Sequence, residues 1–119
     1  MATAVKRKLS GSTDGKGIKV AATATAGTAI HTAVAGTTAG TFDEIWLYAF
    51  NSHTEAVTLT IEFGGATAPD QNIVCSLASK SGLQLIVPGL ILQNEATVKA
   101  FAGTANVITI SGFVNSITD

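Results

Sequence analysis

Two histidines, one cysteine and a thin scatter of acids hold whatever reaction chemistry this chain of 119 residues offers. Nucleophilic hydrolysis needs a serine or cysteine beside a base that an acid orients. His31 lies in AIHTAV, a strand-like run, and His53 in NSHTE, which has the residues of a turn, and no GxSxG elbow frames a serine. His31 therefore reads as a strand residue on a face or an interface, and His53 as an exposed turn residue. Asp43 and Glu44 are adjacent, so on a strand they point to opposite faces and make no close carboxylate pair. Asp43 reads as the end of a turn. No enzyme is expected, and the one feature that would reopen the matter is a cleft joining His31 or His53 to Asp43, Glu44 or Asp70.

Metal and cofactor chemistry are not expected either. Zinc takes three or four protein ligands, and two distant histidines with one cysteine are a poor set. Asp70, after Pro69 in APDQ, suits an Asx-type hydrogen bond within its own loop; one acid falls well short of the oxygen shell that calcium wants. Cys75 in IVCSL shares a face with Ile73 and Leu77 and reads as a small buried hydrophobe. GSTDGKG lacks the GxxxxGK[ST] spacing and the following helix of a phosphate-binding loop, so it reads as a turn.

The composition narrows the partners. Charged residues make up 13% of the chain and the formal net charge is -1, so the basic footprint of nucleic-acid binding is missing. No apolar run approaches the roughly 20 residues that span a bilayer as a helix, and MATAVKRKLSG puts its basic cluster where a signal peptide would continue into an apolar stretch. Neither a nucleic acid nor a membrane is expected as partner, nor export by that route. Lys6, Arg7 and Lys8 form the only basic run, either solvated or gripping an acidic neighbouring surface. A single cysteine excludes an internal disulfide framework.

Thr, Val, Ile and Gly are abundant, and short apolar runs recur between Gly, Asn, Asp or Ser punctuation, the pattern of an all-β chain. The expectation is one domain over 1–119, a β-sandwich or jelly roll of about eight to nine strands, with residues 1–17 an N-terminal arm or hairpin. Strands are expected at 4–9, 18–24, 29–34, 43–51, 56–63, 72–78, 83–87, 96–102 and 106–117. Asp14-Gly15 suits a hairpin turn pairing the first two. Pro88-Gly89 in VPGL suits a type II turn at a corner where the chain changes sheet. Residues 63–72, FGGATAPDQN, read as a long connecting loop.

Two stretches carry more apolar surface than a two-layer fold requires. In FDEIWLYAFN, Ile45, Leu47 and Ala49 fill one parity while Trp46, Tyr48 and Phe50 fill the other. The following VTLTIEF alternates cleanly, with Thr58, Thr60 and Glu62 on a wet side. A four-residue loop, 52–55, would set the aromatics opposite Val57, Leu59 and Ile61 and turn them to the core, the register that aromatic against β-branched pairing favours. A loop one residue shorter or longer turns them outward. Either way one set stands outside, Ile45 and Leu47 or Trp46 and Tyr48, and needs a cover: the chain's own loop or arm, or another subunit. LQLIVPGLILQN repeats the pattern, with Leu90 and Ile91 among apolar residues of both parities.

VKRKLSGSTDGKGIKV, IHTAVAGTTAGTFDEIWLYAFN, LTIEFGG, PGLIL and NVITISGFVN, in order over nearly the whole chain, resemble the small β-rich virion proteins of tailed bacteriophages. The resemblance implies a capsid decoration or cement protein that binds the major capsid protein or another virion protein, self-associates, often as a trimer, and sits on the capsid surface after synthesis in the host cytoplasm. Other virion parts of neck, tail or fibre share the pattern. From the residues, the contact candidates are Ile45, Trp46, Leu47, Tyr48, Leu90 and Ile91, with Lys6, Arg7 and Lys8. A carbohydrate-binding β-sandwich is the rival expectation, with Trp46 and Tyr48 as its platform.

Overall fold

The computed structural model describes residues 2–119, which form nine strands: β1 (Thr3–Lys8), β2 (Ile18–Lys19), β3 (Thr28–Thr32), β4 (Phe42–Asn51), β5 (Val57–Phe63), β6 (Asn72–Leu77), β7 (Gln84–Leu92), β8 (Thr97–Ala102) and β9 (Ile108–Thr118). One sheet runs β1-β9-β4-β7, with β2 also on β9, and the other runs β3-β8-β5-β6. Lys8 lies opposite Phe113 and Ile18 opposite Ile110, both antiparallel, so β1 and β2 are two pieces of one edge strand along β9. Counted as one, they make two four-stranded sheets in jelly-roll order. The expected all-β sandwich or jelly roll is the architecture found.

The core lies between the sheets. Ile45, Leu47 and Ala49 of β4, Ile108, Ile110 and Val114 of β9 and Val87 of β7 meet Ile30, Leu59, Ile61 and Val98 of the opposing sheet, all fully enclosed. Each such Leu, Ile or Val contributes about 1.5–3 kcal/mol by leaving water. Alternation along β4 puts Asp43 and Asn51 on this same inner face. β9 can lie against β4 because residue 112 is glycine: a Cβ there would run into the Trp46 carbonyl.

Several expectations give way here. β4 and β5 form no hairpin; they lie in different sheets, so neither pairing register exists, and Trp46, Tyr48 and Phe50 point away from the core instead of into it. Ile45 and Leu47 are interior residues and cannot be contact residues. Asn51 enforces the crossing. Its Nδ2 donates to the Glu55 carbonyl at 3.0 Å and the Leu77 carbonyl at 2.9 Å, and its Oδ1 accepts the His53 amide at 2.9 Å, which holds the chain over the sandwich rather than letting it fold back. Asp43 sits inside β4 and ends no turn.

Asp14 and Gly15 do take positive φ, 56° and 82°, but their turn belongs to an excursion over 9–17, not to a hairpin. Leu9 plugs the core there, and the Gly11 amide donates to the Ile30 carbonyl at 2.9 Å. Pro88-Gly89 marks no change of sheet. Gly89, at φ 78°, bulges an unbroken β7 whose register against β4 slips between Ile45 and Trp46, and proline is tolerated because β7 is an edge. The wet side of β5 is partly covered: Thr60 and Glu62 are buried, with Thr25 Oγ1 donating to Glu62 Oε2 at 2.8 Å and the Gly27 amide to Oε1 at 2.7 Å.

Candidate functional site

The inner face first brings together the residues that could do acid–base chemistry. Asp43 of β4 and His31 of β3 meet across the sandwich, His31 Nε2 lying 2.6 Å from Asp43 Oδ2, with both side chains buried. They line an open pocket of about 540 Å³ that Ser10 also borders. This is the cleft that would reopen an enzymatic reading, so its hydrogen bonding matters. The Ser10 amide donates to His31 Nδ1 at 3.0 Å. That nitrogen is therefore the acceptor, and Nε2 carries the proton it donates to Asp43. Both ring nitrogens are engaged, leaving no free lone pair for a substrate proton. Ser10 Oγ in turn accepts the Thr32 amide at 2.7 Å, and Asp43 Oδ2 also accepts the Val34 amide at 3.2 Å. As placed, the pair ties the 9–17 excursion, β3 and β4 together.

The outer face of the β1-β9-β4-β7 sheet carries the other cluster. Trp46 stacks on Phe113 with ring centroids 6.2 Å apart and planes 12° from parallel, and Lys6 Nζ stands 4.3 Å from the Phe113 centroid on the far side of the row. Trp46 Nε1 donates to Glu44 Oε1 at 2.8 Å, and Asn115 Nδ2 donates to the same oxygen at 2.9 Å. These two bonds hold the Glu44 carboxyl below its ordinary pKa of 4.5, the Trp46 bond having the larger effect. Gly89 leaves room for the indole, since a Cβ there would meet Trp46 Cζ2 at 2.9 Å.

This row continues onto β7. Leu85 lies opposite Tyr48, Pro88 opposite Trp46 and Ile91 opposite Glu44. β7 ends its sheet, so one side of its backbone has no strand partner, and it carries no charged residue. Leu83, Leu85, Leu90 and Ile91 are 58%, 49%, 44% and 55% exposed. The opposite edge, β1, is exposed along its length but carries Lys6, Arg7 and Lys8, the charged device that keeps edge strands from pairing.

Of the expected contact residues, the structure joins Trp46, Tyr48 and Ile91 in one surface, brings Lys6 to its rim through Phe113, leaves Leu90 exposed on the other face of the β7 edge, opposite Ile45, and removes Ile45 and Leu47 to the core. Arg7 and Lys8 belong elsewhere, beside the Asp43 pocket, where Lys8 Nζ donates to the Ser12 carbonyl at 3.0 Å. Phe113 and Leu85 were missing from the expectation because their place depends on which strands neighbour β4. His53 is a turn residue whose carbonyl accepts a bond from Ser79. Gln71 rather than Asp70 braces its loop, its Oε1 accepting the Thr67 amide at 3.0 Å. Cys75 packs half-buried against the core, and burial pushes its thiol above the ordinary 9.0. No cluster of three His, Cys, Asp or Glu side chains suited to a metal occurs among the described residues. Comparison with known proteins finds no matching family model, no matching curated protein and no matching solved structure.

Proposed function

We propose that this chain is a non-enzymatic virion structural protein, a capsid decoration or cement subunit that associates with copies of itself and with a major capsid protein. The observation that carries the reading is the uncharged, unpaired edge of β7, whose exposed Leu85 and Ile91 run on into the Trp46 and Tyr48 row, with Leu90 exposed on the other face of the same edge. An exposed apolar edge without charges invites pairing and is a hazard for a free monomer. In an assembled shell it is covered, and its burial adds to the stability of the assembled state alone. Many copies multiply a small contact. The jelly roll serves capsid domains, lectins and cupins alike, so it accommodates this reading without selecting it. The phage assignment rests on the sequence resemblance, which also favours three copies.

Sedimentation velocity at micromolar concentration is expected to show a discrete oligomer, and a monomer there would remove the self-association. Electron microscopy of intact particles containing the chain is expected to place many copies on the capsid exterior. A chain missing from the particle, or confined to the neck or tail, would overturn the decoration role.

A further inference from the structure

His31 is held by two contacts of opposite sense, and only one of them survives the addition of a proton. Nε2 donates to Asp43 Oδ2 at 2.6 Å, while Nδ1 accepts the Ser10 amide at 3.0 Å. An imidazolium has two N–H donors and no acceptor. Protonation at Nδ1 therefore keeps the Asp43 contact, now charge-assisted, and sets two donors against each other at Ser10. The two sides are unequal. His31 lies in β3 and Asp43 in β4, between β9 and β7, and both are buried. Ser10 is exposed and belongs to no strand, so Ser10 is the side that yields.

What yields with it is a cover. β3 ends its sheet, and residues 10 and 11 lie along it: the Gly11 amide donates to the Ile30 carbonyl at 2.9 Å, and the Thr32 amide to Ser10 Oγ at 2.7 Å. A Cβ at residue 11 would stand 2.6 Å from the Ile30 oxygen, so the stretch lies flat on the β3 backbone and can move only away from it. Leu9, buried in the core, anchors one end. At the other, Ser12 Oγ donates to the Lys16 carbonyl at 2.7 Å and begins the turn.

We propose that His31 is a proton-operated latch: neutral, it holds residues 10 and 11 on the β3 edge, and protonated, it releases them while keeping Asp43. Histidine is the side chain whose charge ordinarily changes between about pH 5 and 8, so the strap closes toward the upper end of that range and opens toward the lower. The surroundings hold no rival switch. The charged groups bordering the same cavity are Asp43 of β4 and Arg7 and Lys8 of β1, types that ordinarily titrate outside this range. Val98, opposite His31 on β8, and Ser116 of β9 carry no charge. Leu9 keeps its place in the core, so the strap lifts from one anchored end, and acid uncovers the backbone of the β3 edge. The device acts within a single chain and is independent of the virion reading.

The test is NMR of the intact protein from about pH 8 down to about pH 5, following the His31 ring nitrogens and amide hydrogen exchange corrected for its intrinsic rate. At the upper end Nε2 is expected to carry the proton and Nδ1 none. As pH falls Nδ1 gains one, and with the same midpoint the protection of the Ser10 and Gly11 amides is expected to fall about tenfold, the loss of one hydrogen bond. The amides of Ile45 and Leu59, in the core, are expected to keep theirs. His53→Gln, in a turn outside this pocket, is expected to leave the transition in place. His31→Gln, read only if its spectrum stays native, is expected to remove the pH dependence of the Ser10 amide. Protonation of His31 with Ser10 protection unchanged would overturn the proposal. So would a His31 that stays neutral throughout, or a loss of protection that spreads to the core amides or follows another group's midpoint.

Discussion

His31 Nε2 lies 2.6 Å from Asp43 Oδ2, so a residue of β3 in one sheet is bonded to a residue of β4 in the other. With Ser10 capping the remaining ring nitrogen, this is a clamp across one side of the sandwich. His31→Ala would leave a buried carboxylate with the Val34 amide as its only donor. It is expected to destabilise the fold by roughly 3–5 kcal/mol, the cost of removing one partner of a buried pair, read from denaturant unfolding. A loss under about 1 kcal/mol would mean that water serves Asp43 as well as His31 does.

Leu47 and Leu90 separate core from contact surface. Leu47→Ala is expected to cost about 2–5 kcal/mol as a core truncation, and Leu47→Lys to abolish folding. Leu90→Lys, on the exposed edge, is expected to change monomer stability by no more than about 0.5 kcal/mol while shifting sedimentation toward the monomer. Unchanged oligomerisation in Leu90→Lys and Ile91→Lys would move the interface away from β7.

Glu44 makes the outer face pH-sensitive. Its folded pKa is lowered by the Trp46 and Asn115 bonds, so its contribution is complete above the unfolded value near 4.5 and is lost as pH falls through the lower folded value. Carboxyl NMR titration is expected to place Glu44 below 4.5, with indole fluorescence changing in the same range. Trp46→Phe should raise that midpoint toward 4.5; a midpoint unmoved by the substitution would assign the shift elsewhere.

Cys75 titrates above 9.0 because it is partly desolvated, so at pH 8 little thiolate exists to react. Labelling by a thiol reagent is expected to be slow in the native protein and fast in denaturant. Equal rates would show that the β6 edge opens readily.

Several features were legible from local pattern. Clean alternation in 57–63 announced a strand, the apolar run of 42–51 announced another with both parities filled, and short apolar runs between Gly, Asn, Asp and Ser pointed to β architecture. Cys75 shares a face with core residues, as its parity with Ile73 and Leu77 required. Strand extents were mostly readable too, although 18–24 shrinks to Ile18–Lys19 and 83–87 extends through Pro88 to Leu92, because the capacity of an edge to accept a bulge is not written locally.

What the amino-acid order settled by itself is the class of structure and the presence of two apolar parities in β4, since side-chain alternation is a property of each strand alone. Which parity faces the core was decided only by tertiary structure. That choice depends on β4 lying between β9 and β7 rather than beside β5, a matter of long-range pairing that no local register argument contains. The same folding joins His31 to Asp43 and Trp46 to Phe113, residues far apart in the chain. Their meeting follows from packing one sheet on the other and from the order of strands within a sheet.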